Sequence, residues 1–136
     1  MTPAQMAEIH TAAFHDDRPW SEIEFADLTA GNHIDLLTQV GGFALISTVA
    51  GESELLTLAV HPARQRQGIA TTLIVRWLSI PRIKAAFLEV AADNDIAQSL
   101  YVKHGFAECG RREGYYKRRD RNPVDAVIMR TELTHG

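Results

Sequence analysis

Leu55-Leu56-Thr57-Leu58-Ala59-Val60-His61-Pro62-Ala63-Arg64-Gln65-Arg66-Gln67-Gly68-Ile69-Ala70 is the stretch that decides the fold. A strand-forming run ends at His61-Pro62 and a polar, basic loop follows. Gly68 then opens a helical run with Leu73, Ile74, Trp77 and Leu78 on one face. A strand that feeds a helix in this way leaves free amides at the helix N-terminus with the helix dipole behind them, which favours an anion. Gly68 and the small Ala70 let a bulky anion approach the backbone, and Arg64 and Arg66 add positive charge. Neither G-x-G-x-x-G nor G-x-x-x-x-G-K-[ST] is present.

Upstream of this stretch, Pro3 to about His15 reads as a helix with Met6, Ile9, Ala13 and Phe14 on its buried face. Ser21, with Glu24 three residues on, has the capping-box pattern and predicts a short second helix through Phe25 and Leu28. Ile34 to Val40, Phe43 to Ala50 and Glu54 to Val60 read as three strands joined by tight turns at Gly41-Gly42 and Gly51. Downstream, Pro81 closes the helix begun at Gly68, and Ala85 to Ala91 is a fourth strand. Asn94 to His104 is a helix stopped by Gly105, and Phe106 to about Arg112 and Asp125 to Leu133 are two closing strands. This order predicts an α/β chain of the α+β type, with a mixed, mostly antiparallel central sheet and helices on both faces.

Composition agrees with a single domain over residues 1–136. The chain weighs 15.1 kDa, is 46% apolar and 23% charged, and has no run long enough to span a membrane. No basic, apolar leader opens it, so the expected location is the cytoplasm. The net charge of −3 is unevenly spread: residues 1–63 carry −8 and residues 64–136 carry +5. A single cysteine, Cys109, excludes an intrachain disulfide and reads as a core residue on the fifth strand. The six histidines have no paired-ligand spacing, so no metal site is expected.

Ala85-Ala86-Phe87-Leu88-Glu89-Val90-Ala91 is apolar on both faces apart from Glu89. An ionised group there costs several kcal/mol unless compensated. Glu89 therefore either faces a cleft or pairs with an arginine in the interior. Asn94 and Tyr101, seven residues apart, stand almost two helical turns from each other, about 10 Å along one face. Asn94 suits an N-cap and Tyr101 a core aromatic, and both readings leave room for a second role.

Three segments carry a resemblance. Gln65-Arg66-Gln67-Gly68-Ile69-Ala70 fits [QR]-x-x-G-x-[GA]. Leu88-Glu89-Val90, then Asn94, Leu100-Tyr101 and Gly105-Phe106, form a second pattern. Arg111-Arg112, Tyr115-Tyr116 and Asp125-Ala126…Met129 form the third. Together they resemble the GNAT superfamily of N-acetyltransferases, and within it the bacterial ribosomal-protein-alanine branch, which Pro19-Trp20-Ser21 also matches. The resemblance implies the GNAT fold and acetyl-CoA as cosubstrate, with the CoA pyrophosphate held by Arg66, Gln67, Gly68, Ile69, Ala70 and Thr71. The pantetheine arm would run beside Leu58, Ala59 and Val60, and Asn94 would contact CoA. It also implies Glu89 as general base, Tyr101 as general acid, and Trp20, Tyr115 and Tyr116 at the acceptor groove.

The acceptor implied is a protein N-terminus, that of a ribosomal protein in the branch it resembles, with no membrane and no nucleic acid as partner. A small-molecule amine or antibiotic, or a non-catalytic acyl-CoA-binding role, are the alternatives. Two features depart from the family. The usual first strand before the first helix is lacking, which leaves one sheet edge bare or covered by another subunit. The loop Lys117-Arg118-Arg119-Asp120-Arg121 is strongly basic and reads as a solvated hairpin, or as a contact to ribosomal RNA or to the adenosine phosphate of CoA.

Overall fold

A computed structural model describes residues 1–14 and 17–135; His15, at the expected end of the first helix, lies outside them. The first element is helix α1 (Pro3–Ala13), started by Thr2 and Gln5, whose side chains each accept the other's backbone N–H. The predicted Ser21–Glu24 capping box starts α2 (Glu22–Thr29). Strands β1 (Ile34–Gln39), β2 (Gly42–Val49) and β3 (Glu52–Val60) form the expected meander, and a single 3-10 turn (Pro62–Arg64) leads to α3 (Ile69–Leu78). Then come β4 (Ala85–Ala91), α4 (Asp95–Lys103), β5 (Ala107–Tyr116) and β6 (Val124–Glu132). The six strands make one sheet in the order β1-β2-β3-β4-β6-β5, antiparallel except where β3 meets β4.

Alternation along the strands supplies two core layers. On one face Ala44, Ile46, Leu55, Leu88 and Val90 pack with Leu73, Ile74 and Trp77 of α3 and Tyr101 of α4. On the other, Phe43, Leu45 and Ala59 pack with Met6 and Ile9 of α1 and Phe25 of α2. Within the first layer Trp77 Nε1–H donates to Ser53 Oγ at 2.8 Å. The register of β2 on β3 slips between Leu45 and Ile46, which pair with Thr57 and Leu55, so Leu56 is an extra residue on β3. This bulge lets both Leu55 and Leu58 face α3, although they stand three positions apart.

The parallel pairing of β3 with β4 covers three positions, Glu52 with Ala85, Ser53 with Ala86 and Glu54 with Phe87, and goes no further. From Leu55 and Leu88 onward the two strands diverge, and the sheet opens at its centre.

The outer strands are β1 and β5. Among the described residues the outer edge of β1 carries no further strand. It is partly blunted by Arg76, which donates to the Thr38 carbonyl at 2.6 Å. Two expectations about β5 need correction. It runs four residues beyond Arg112, to Tyr116, and most of it is exposed. Cys109 on this strand is exposed and is not a core residue. The cause is the position of β5: an edge strand has neighbours on one side only, and Cys109 has no core layer to enter.

Candidate active site

The turn before α3 has the form an anion seat requires. Gly68 is the N-cap at φ +76, in the left-handed region, and a Cβ built there would meet nothing within 4 Å. Arg66 is left-handed as well, at φ +65. Two such residues in a tight turn point neighbouring amides into one concavity. No acidic side chain lies in the first turn of α3 to occupy its amides, and Arg66, Gln67, Gly68 and Thr71 are exposed while Ile69 and Ala70 are half-buried.

Backbone direction then connects this turn to the opening in the sheet. The His61 N–H donates across to the Gly41 carbonyl at 2.8 Å, toward β2. Because the direction alternates along a strand, Ala59 turns its backbone groups toward β2, while Leu58 and Val60 turn theirs toward the side where β4 has departed. In keeping with this, the Val60 carbonyl accepts from Gln65 Nε2 at 3.3 Å and not from β2. Leu58 and Val60 thus present ladder groups with no strand to receive them, beside the amides at Gly68.

Glu89 has an arginine partner, but not in the interior: its carboxylate, 21% exposed, pairs at 3.0 Å with Nε of Arg112, whose side chain is 57% exposed. Glu54, which the sequence reading passed over, stands near it. Burial, and after it the negative charge of Glu89, pushes the Glu54 carboxyl above its ordinary range, with Arg112 opposing. Leu88 and Val90 point to the α3–α4 layer, so Glu89 points to the α1–α2 side of β4, whereas Tyr101 packs among the α3–α4 residues against Phe106. The two lie on opposite sides of the sheet plane but are joined electrostatically through Tyr116. The Tyr116 phenol is raised to about 12 by burial first and by the charge of Glu89 second. Tyr101, 8% exposed, is also raised to about 12, by burial and then by Tyr116.

Asn94 caps α4, its Oδ1 accepting from the Ala97 N–H at 3.1 Å, which leaves its Nδ2 to donate elsewhere. Trp20 is half-buried: its ring stacks on His10 at 5.2 Å and its backbone N–H donates to His10 Nδ1. Tyr115 is 51% exposed and meets the Tyr116 ring edge-on at 5.1 Å. The basic loop is not a solvated hairpin at its key residue. The Arg118 side chain is 4% exposed and bonded to Asp17 and Asp93. Two cavities, about 100 and 640 Å³, lie along α1 and β1 and include none of these residues. No group of His, Cys, Asp or Glu among the described residues could hold a metal ion, and no helix among them is long and apolar enough to cross a membrane.

A mixed sheet parted at its centre, with a glycine-capped helix N-terminus beside the parting, is the architecture of an acyltransferase, and comparison gives the family. The profile of the Acetyltransferase (GNAT) family matches residues 4–106, and the chain belongs to that family. It is an N-acetyltransferase. It is 35% identical over 130 residues to the [Ribosomal protein bS18]-alanine N-acetyltransferase of Escherichia coli K12, covering 87% of each chain. It is 32% identical to the N-alpha-acetyltransferase RimI of Mycobacterium tuberculosis, over 93% of this chain and 84% of that one. The crystal structure of the ribosomal-protein-S18-alanine N-acetyltransferase from Escherichia coli superposes with a TM-score of 0.86 at 31% identity, covering 98% of this chain and 89% of that one.

Proposed function

We propose that the chain transfers the acetyl group of acetyl-CoA to the α-amine of a protein N-terminus, with an alanine-headed ribosomal protein as the acceptor the relatives suggest. The observation that carries the reading is the parting of β3 from β4 after Glu54 and Phe87. It turns the backbone groups of Leu58 and Val60 to a ligand, with the Gly68 turn beside them and Glu89, Tyr116 and Tyr101 grouped by their mutual electrostatic influence.

In this reading the amides from Arg66 to Thr71 hold the CoA pyrophosphate, and Asn94 Nδ2 adds a donor. An α-amine titrates near ~8, so a fair minority is already unprotonated at neutral pH, and Glu89 needs to remove its proton only from the remainder, directly or through water. The amine nitrogen attacks the thioester carbon. An amide of the Leu58–Val60 segment donates to the carbonyl oxygen as it gains charge, an interaction of the kind that lowers a barrier by several kcal/mol. The C–N bond forms, the attacking nitrogen gives up a proton to Glu89 or to water, the C–S bond breaks, and its electron pair leaves on sulfur. With Tyr101 at about 12, complete proton transfer to a thiolate near ~8.5 is uphill by about 5 kcal/mol. Tyr101 therefore serves the departing sulfur as a hydrogen-bond donor ahead of any full transfer.

Mass spectrometry of protein N-termini in cells with and without this chain tests the reading. Loss of acetyl from a set of N-termini that begin with alanine supports it. An unchanged N-terminal acetylation profile overturns it.

A further inference from the structure

The loop between β5 and β6 holds the most enclosed charged side chain outside the site just described. Arg118 Nε and one terminal nitrogen form a fork with the two carboxylate oxygens of Asp93, each at 2.9 Å. The other terminal nitrogen donates to Asp17 Oδ1 at 2.9 Å and to the Lys117 carbonyl at 3.1 Å. The guanidinium carbon stands 5.7 Å from the centre of the Tyr116 ring. A guanidinium enclosed to this degree is tolerated because its donors are met in fork geometry, which a lysine ammonium cannot reproduce.

The three segments it joins each carry a residue of the proposed acceptor and cosubstrate machinery. Asp17 lies in the α1–α2 connection three residues before Trp20. Asp93 precedes Asn94, the cap of α4. Arg118 itself follows Tyr116 by two residues. We propose that Arg118 is a positioning residue for the acceptor: by tying these segments together it fixes Tyr116, against whose ring its guanidinium lies, and closes the wall against which a peptide N-terminus lies. The proposal rests on the reading of the acceptor given above. Among the described residues no hydrogen bond or ion pair joins Arg118 to the Gly68 turn or the Leu58–Val60 segment, and the clamp reaches the cosubstrate side only through Asp93 beside Asn94, so the acceptor depends on it more than acetyl-CoA does.

Two readouts test this on the full chain. In Arg118→Gln, with Arg118→Lys and Asp17→Asn as milder variants, the KM for an alanine-headed peptide rises about tenfold or more while the KM for acetyl-CoA stays within about twofold. Hydrogen exchange quickens at residues 17–20 and 92–97 together. A purely structural role would instead lower the fraction of folded enzyme, and with it kcat, leaving both KM values in place. An unchanged peptide KM, or equal movement of both KM values, overturns the proposal. If the wild type acetylates no peptide, the acceptor reading falls; unchanged exchange at those segments in Arg118→Gln overturns the clamp whatever the acceptor is.

Discussion

Glu89 and Arg112 meet at 3.0 Å across an intervening strand. Glu89 is on β4 and Arg112 on β5, with β6 between them, and Ala126 of β6 is the register partner of both Arg112 and Ala91. A methyl side chain at that position leaves the guanidinium free to cross. Glu89 is thus held on the α1–α2 side of the sheet, where an acceptor amine would compete with Arg112 for its carboxylate. Glu89→Gln keeps the shape and removes the proposed base. We expect kcat to fall about 10²–10⁴-fold, the usual contribution of a positioned base, with acetyl-CoA binding unchanged. Steady-state kinetics with calorimetry of CoA binding checks it.

Tyr101→Phe removes one hydroxyl from a buried ring that otherwise keeps its packing on Phe106. The expected outcome is a drop in kcat far larger than any loss of CoA affinity; equal losses would contradict a role at the sulfur. Because burial holds the phenol at about 12, it stays protonated through the accessible alkaline range. The rate should show no loss attributable to Tyr101 below pH ~10, and a descending limb there that vanishes in the phenylalanine variant would contradict this.

Gly68→Ala separates backbone strain from ligand contact. At φ +76 an alanine costs about 1 kcal/mol, although its Cβ would touch nothing in the chain. The melting temperature should fall by only a few degrees. If the amides here grip a pyrophosphate, that Cβ intrudes on the ligand and CoA binds about tenfold more weakly or worse. Unaltered CoA affinity would move the anion seat elsewhere.

His10 makes stability depend on acidity. It is buried between Phe14 and Trp20 and accepts the Trp20 backbone N–H, and burial first of all lowers it to about 4 from 6.5. The unfolded chain therefore binds a proton that the folded chain refuses between those values. Its contribution is complete above pH ~6.5 and is lost as pH falls toward 4, by on the order of 2 kcal/mol. Urea unfolding at a series of pH values should show this slope in the wild type and a flatter one in His10→Gln.

Particular residues explain how much of this was legible in the sequence. The meander, the α3 turn and β4 were readable because alternation, a lone glycine after a basic loop and an acid in an apolar run are local signals, and local physics produces them. Ser21 and Glu24 announced their helix for the same reason. Glu54 carried no signal because an acid at the head of a strand is ordinary; its raised carboxyl comes from burial first and second from the charge of Glu89, 35 residues away on β4. Arg118 was misread because its compensating acids, Asp17 and Asp93, lie 101 and 25 residues off. Cys109 was put in the core because cysteine is usually buried, whereas β5 turned out to be an edge. Charges and edges depend on which strands become neighbours, and composition along a strand carries no record of that.

The most direct measurement is release of free CoA thiol from acetyl-CoA with one peptide in two forms: an alanine-headed peptide containing a lysine, with its α-amine free or blocked. Release with the free peptide, with the acetyl group on its terminal nitrogen and none released with the blocked form, is what the account predicts. Equal release from both forms, or release only with small amines, would contradict it.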